Sequence, residues 1–147
     1  MESVAIRKAS VDDSEPIARL VSELGYPTST SQMRRRLETI LHDNHYQTFV
    51  ACEDGHILGF VGTRSGPLYE DDGCYGQIMA LAVAASRQRR GVGRMLMQVA
   101  ESALIERGVR VLVVTSGNQR SDAHAFYERC GYSFTGRRYK KSFAMSA

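Results

Sequence analysis

Glycine and arginine concentrate in one run, Gln88-Arg89-Arg90-Gly91-Val92-Gly93, with Arg87 before it and Arg94 after it. The run follows an apolar, strand-like stretch at 78–84 and opens a helix-like stretch at 94–107. Amides at a helix N-terminus have no intrahelical acceptors and point at an anion. Glycine lets the anion approach the backbone closely, and arginine adds charge-assisted bonds to phosphate oxygens. The chemistry on offer is the holding of a phosphorylated ligand. The same residues also suit a plain strand-to-helix turn with solvated arginines. Two nucleotide-binding patterns do not fit. A dinucleotide fingerprint lies near the first strand and needs a third glycine, where this chain has Leu96. A P-loop needs Gly-Lys and then Ser or Thr, and here Arg94-Met95 follows Gly93.

The elements around this loop follow from periodicity. Residues 4–7 suit a first strand. Asp13 is placed as a helix N-cap, with Pro16 in the first turn and Ile17, Leu20, Val21 and Leu24 at helical spacing before Gly25. Residues 31–41 predict a second helix through Met33, Leu37, Ile40 and Leu41. Strands at 47–53 and 57–63 flank Asp54-Gly55, a hairpin turn. A polar connection at 64–76 leads to a strand at 77–84. Residues 91–107 then predict a helix with Val92, Met95, Leu96, Val99, Ala103 and Leu104 inward, ended by Gly108. Residues 109–115, nearly all β-branched or leucine, read as a buried central strand. A short helix at 121–130 precedes Gly131, and residues 132–143 can supply one or two last strands. An early hairpin and a late strand–helix–strand crossover imply an α/β sheet with a parallel pair in its second half.

The 147 residues suit one domain over 1–147. A composition 43% hydrophobic and 24% charged is that of a soluble globular chain. No apolar run approaches the roughly 18 residues needed to span a bilayer, and the start Met1-Glu2-Ser3-Val4 is unlike a signal peptide. The expectation is a cytoplasmic protein with no membrane partner. Cys52, Cys74 and Cys130 are odd in number and lack motif spacing, so they are expected as reduced thiols, with Cys52 and Cys130 in the core. The histidines are scattered, and no metal is expected. A net charge of +3 is too small to argue for nucleic acid. Arg34-Arg35-Arg36 suits a solvated helix face.

Taken together, the chain resembles the GNAT superfamily of N-acetyltransferases. Its acetyl-CoA loop has Gln/Arg-x-x-Gly-x-Gly/Ala after a strand ending Leu-x-Val. Here Leu81-Ala82-Val83 precedes Gln88 to Gly93. Downstream come Asn118 and then Ala123-His124-Ala125-Phe126-Tyr127-Glu128-Arg129-Cys130-Gly131-Tyr132, similar to the superfamily's second cofactor motif. The resemblance is strongest over 77–134. It implies a mixed sheet of six to seven strands, splayed between the fourth and fifth, with about four helices. It also implies acetyl-CoA as acetyl donor, with its pantetheine arm in the splay against Leu81 and Val83 and its pyrophosphate on the amides of Gln88, Arg89, Arg90, Gly91, Val92, Gly93 and Arg94. Asn118 would bond the pantetheine or order a water.

Acetyl transfer to an amine needs a neutral nucleophile, a polarised carbonyl, a donor for the charge developing on oxygen, and a proton for the departing sulfur. The resemblance assigns the carbonyl to a backbone N–H at Ala82 or Val83, and the proton to Tyr127, whose phenol is protonated at neutral pH. His124 lies in the same stretch, but the resemblance does not require it for catalysis. The superfamily's glutamate near the start of the fourth strand is replaced here by Gln77, which cannot accept a proton, leaving water or Glu70, Asp71 or Asp72 as base. If Tyr69, Glu70 and Asp72 line the acceptor cleft, they favour a cationic amine. Residues 116–127 instead resemble aminoalkylphosphonate N-acetyltransferases, in which case Arg120 would bind an anionic group. The expectation is a small-molecule amine acetyltransferase. A protein or peptide acetyltransferase and a non-catalytic acetyl-CoA-binding regulator are the alternatives. The edge at 139–143 could pair in a homodimer.

Overall fold

The hairpin is set by Asp54 and Gly55, both at positive φ (53° and 77°), the twist that joins adjacent antiparallel strands. It links β2 (Tyr46–Glu53) to β3 (His56–Pro67). Flanking them are β1 (Ala5–Lys8) and β4 (Cys74–Val83). A fifth strand, β5 (Val109–Val114), completes the order β1-β2-β3-β4-β5. The first three pairings are antiparallel and β4–β5 is parallel. Helices α1 (Ser14–Glu23) and α2 (Thr30–Ile40) lie between β1 and β2, α3 (Val92–Glu106) crosses from β4 to β5, and α4 (Ser121–Arg129) follows β5. The computed structural model describes residues 3–88, 91–115, 121–136 and 139–145. They divide into two compact units, Met1–Val114 and Thr115–Ala147.

In the first unit the sheet is buried on two faces. Val50, Phe60 and Ala82 form a cross-strand row packed with Ile17, Ala18 and Leu20 of α1 and Met33 and Leu37 of α2. The opposite face takes α3, through Val92, Leu96, Met97, Ala100 and Leu104, each 2% exposed or less. Full burial of a leucine or methionine there contributes roughly 1.5–3 kcal/mol. The helix is rolled relative to the sequence expectation. Met97 and Ala100 are buried, while Met95, Val99 and Ala103 line an open groove with Ile6 and Phe49.

Four further differences have physical causes. Residues 64–67 and 74–76, read as connection, extend β3 and β4, because backbone pairing continues through Pro67 opposite Cys74. The β5 segment was expected at the centre of the sheet. It is the last strand among the described residues, and Val111 and Val113 are 52% and 44% exposed. Among the described residues five strands are found rather than six or seven. Residues 132–136 and 139–145 hold none, in keeping with Gly136 and a basic run through 137–141, both poor strand formers. Cys52 and Cys130 are half-buried rather than core.

Asp13 takes the N-cap position of α1, as expected, but its side chain makes no capping bond there. It ends a 3-10 turn, Val11–Asp13, that Ser10 caps, and its buried carboxylate accepts two bonds from Arg7 (2.9 Å each) and one from Ser10 N–H (2.8 Å). Chiefly the Arg7 bonds, against the cost of burial and with help from Ser10 N–H, hold its pKa below the ordinary aspartate value. The group therefore adds stability that is complete above about pH 4 and is lost as pH falls through its lower folded pKa. Asp13→Ala is expected to lower stability by about 1–3 kcal/mol at pH 7. The loss should shrink in urea melts at pH 3. A deficit equal at both pH values would show that the ion pair is not its source.

Candidate functional site

The feature that organises the site is a parting of strands. β4 and β5 pair from Cys74↔Val109 to Ile78↔Val114, and there the pairing ends. The rest of β4, from Met79 to Val83, keeps only β3 as a neighbour among the described residues. At the same point β4 carries one extra residue. Gly62 pairs with Ala80 and Thr63 with Ile78, so Met79 is a bulge. The bulge reverses which side chains face which way. A Cβ on Gly76 would meet Leu104 of α3, whereas Ala82, also even-numbered, packs with α1 and α2.

The bulge also leaves backbone groups pointing into the gap. Ala84 N–H bonds Leu58 O at 2.7 Å. Hydrogen-bonded pairs alternate along an antiparallel ladder, so Ala82 and Ala80 bond β3 as well. The N–H and C=O of Leu81 and Val83 then point away from β3, to the side that β5 has left. Ala82 N–H faces β3 and is not free on that side, which separates it from Leu81 and Val83 as a backbone donor. Val83 O accepts from Gln88 Nε2 at 3.2 Å.

Beyond Val83 the chain turns sharply into α3. Ala85–Arg87 is a 3-10 turn anchored from two sides: Ala85 N–H donates to Glu23 at the end of α1 (3.1 Å), and Arg87 lies 3.8 Å from Glu53. The α3 N-cap is Gly91 at φ 80°, a left-handed conformation suited to glycine, and among the described residues no side chain caps this helix. α2, by contrast, is closed by a Ser29–Gln32 capping box. The first amides of α3, at Val92, Gly93 and Arg94, are thus presented at the end of the turn. Arg94 is exposed. Arg89, Arg90, Asn118 and Arg120 lie outside the described residues. Glu23 and Glu53 were not singled out in sequence, because their partners are 62 and 34 positions away and no local pattern marks them.

In the second unit, Tyr127 lies on α4 with its ring edge-on to Phe126 (5.3 Å between centroids) and to Tyr132 (6.1 Å). Gly131, at φ 95°, ends the helix. His124 is half-buried on the same helix.

The acceptor-side expectations divide. Tyr69, Glu70 and Asp72 lie exposed in the β3–β4 loop. Asp71 is taken up by Asp72 N–H (2.7 Å) and Arg110 (3.0 Å), which hold its carboxyl below the usual aspartate range and make it a poor base. Along an extended strand, Gly73 to Met79 is roughly 20 Å, so the loop stands well away from the bulge. Gln77 is on β4, opposite Arg64 and Val113. Sequence reading missed the group around it. Arg64 stacks 5.8 Å from the Tyr46 ring and donates to the Tyr75 hydroxyl. Among the described residues there is no cluster of three metal-ligating side chains and no helix long and apolar enough to cross a membrane.

Known proteins share this arrangement. The model of the acetyltransferase (GNAT) family matches residues 14–132. A mycothiol acetyltransferase of Rhodococcus jostii (strain RHA1) is 32% identical over 88 residues, covering 59% of this chain and 28% of that protein. The chain therefore spans under a third of that relative's length. An aminoalkylphosphonate N-acetyltransferase of Salmonella typhimurium is 25% identical over 140 residues, covering 93% of this chain and 90% of that protein. Among solved structures, an aminoglycoside N-acetyltransferase in complex with CoA superposes with a TM-score of 0.87 at 19% identity, over 99% of this chain and 97% of that one. At that identity the likeness speaks for the fold. With a family model spanning most of its length, the chain belongs to the acetyltransferase (GNAT) family.

Proposed function

We propose that the protein is an acetyl-CoA-dependent N-acetyltransferase that moves an acetyl group to a primary amine of a small molecule by direct attack, both ligands being held together. The observation that carries this is the parting of β4 from β5 after Ile78, with Leu81 and Val83 turned into the gap and the uncapped start of α3 at its end. A gap with open backbone donors fits an amide-bearing arm, and free helix amides beside glycine fit a pyrophosphate. The names of the aminoalkylphosphonate and aminoglycoside relatives support a small amine as acceptor.

When bound, acetyl-CoA supplies an acetyl group activated as a thioester. The first amides of α3 would hold the phosphates and the open backbone groups of β4 the arm, and Leu81 N–H, the open donor nearest Met79, would polarise the carbonyl oxygen. Val83 N–H holds the arm, and Gln88 keeps Val83 O occupied. Gly91, Val92, Gly93 and Arg94 present amides to phosphate, joined by Arg89 and Arg90. Asn118 bonds the arm or a water, and Tyr127 holds at Oη the proton for the departing sulfur. Gln77, half-buried on β4, cannot act as base, and the amine's proton passes to water. Holding amine and thioester together supplies much of the acceleration.

The test is thiol release from acetyl-CoA across aminoalkylphosphonates, amino acids, polyamines, aminoglycosides and peptides. Tyr127→Phe is expected to lower kcat about 10–100-fold, with little change in acetyl-CoA binding and with loss of the alkaline limb of the kcat profile. Neither acetyl-CoA binding nor turnover with any amine would end the enzyme reading. Unchanged kcat in Tyr127→Phe would remove the tyrosine from it.

A further inference from the structure

The sheet face beyond α1 and α2 carries a cation held by two tyrosines. Tyr46, Arg64, Gln77 and Val113 form one cross-strand row, each opposite the next. Tyr75, two residues before Gln77, shares their face. Its ring lies over Gly66, where an added Cβ would meet Tyr75 Cε1 at 3.3 Å. That leaves the hydroxyl to accept from Arg64, while the Tyr46 ring holds the guanidinium from the other side. Both partners are neutral. Arg64 has no ion pair among the described residues, and Asp43, an acid that feels its charge, is already bonded by His45 through N–H (2.9 Å) and ring nitrogen (3.1 Å). A guanidinium has five donors in a planar fork, and one is used among the described residues. A half-buried, aromatic-braced arginine with donors to spare is a receptor for an anion.

Its position says which anion. Arg64 stands opposite Gln77, and Gln77 to Leu81 is roughly 13 Å of strand. Resting on the acetyl-transfer reading, we propose that Arg64 is a specificity residue that binds an anionic group of the acceptor, so that the acceptor is an amine bearing a carboxylate, phosphate or phosphonate. The amine and the anion are separated by up to about 10 Å, the strand distance less the contacts at each end. An acceptor with a second cation in place of the anion meets a like charge at Arg64 and is disfavoured.

The test uses matched ω-amino carboxylates, ω-amino alcohols and diamines of two to eight carbons, with the ω-aminoalkyl phosphonates as a second anionic series. The expected result is a preference of roughly 10–100-fold in kcat/KM for the anionic series over the alcohols, as befits one charge-assisted contact, with diamines poorest. Arg64→Met should abolish the preference through KM, leaving amino alcohols and acetyl-CoA affinity within threefold, and Arg64→Lys should restore part of it. Melting temperatures establish that the variants are folded. Two readouts on the wild type need neither variant nor turnover: calorimetric binding of 6-aminohexanoate against 6-amino-1-hexanol, and displacement of the bound amine by adipate. Equal binding of the two amines, or a preference for diamines, overturns the assignment. So does an equal loss for both series in Arg64→Met. If the protein binds 6-aminohexanoate selectively but not acetyl-CoA, the acetyl-transfer reading falls and the anion site stands.

Discussion

Replacing Gly91 by glutamate is expected to reduce acetyl-CoA affinity by roughly 30- to 1000-fold. The Cβ meets no atom within 4 Å, so the side chain enters open space and the fold is not overpacked. Two costs remain. At φ 80° any L side chain strains the backbone, at about 1–2 kcal/mol. The carboxylate then stands where a pyrophosphate would meet the first amides of α3. A like charge near 4 Å costs about 1 kcal/mol in bulk water and about 4 kcal/mol near a protein surface, which sets the upper part of the range. Gly91→Ala separates the two costs, because it carries the strain without the charge. The alanine variant should melt a few degrees lower and lose little affinity. Calorimetric titration with acetyl-CoA reads the difference. A folded Gly91→Glu protein that binds acetyl-CoA as the wild type does would remove the phosphate from this loop.

The second large effect is at Gly59 in β3. A Cβ there would sit 2.7 Å from Ala82 O, 3.2 Å from Leu96 Cδ1 and 3.3 Å from Val83 Cα. Leu96 can rotate, but Ala82 O is fixed in the β3–β4 ladder, so the strands must separate. Gly59→Ala is expected to cost about 1–3 kcal/mol and to lower the melting temperature by roughly 3–10 °C. Because it displaces β4 at Ala82 and Val83, acetyl-CoA binding should weaken with it. Gly62→Ala, three residues along the same strand, meets nothing within 4 Å and should be nearly silent. Equal melting temperatures for the two variants would show that the close approach of β3 and β4 is not what Gly59 serves.

The contrast between Gly59 and Gly62 also shows where sequence reading reaches its limit. Both are glycines in an apolar run, and only the neighbouring strand distinguishes them. Local signals read well: Asp54-Gly55, the helical spacing of α1 and the glycine that opens α3 all depend on residues near one another. What escaped depends on distant partners. Asp13 has the right type for a cap, but Arg7 claims its carboxylate. Residues 109–115 have the composition of a central strand, yet exposure on β5 is decided by what lies beside it. Tyr46, Arg64 and Tyr75 are far apart in sequence and meet only through strand register. The bulge at Met79 has no signature at all, since methionine fits regular and bulged strands alike.

That single methionine carries a consequence for chain length. Before it, even-numbered residues of β4 face α3. After it, odd-numbered residues do. Removing Met79 would join Ile78 directly to Ala80 and restore unbroken alternation with Ala82 on its present face, whereas removing a residue on either side of the bulge would turn the positions beyond it over. Substitution at Met79 touches one half-exposed side chain, whereas deletion there would keep the faces and remove the bend that the bulge gives β4. In β4, counting matters more than chemistry, and the tolerance for insertions and deletions that such a chain possesses must reside in the loop at 68–73 instead.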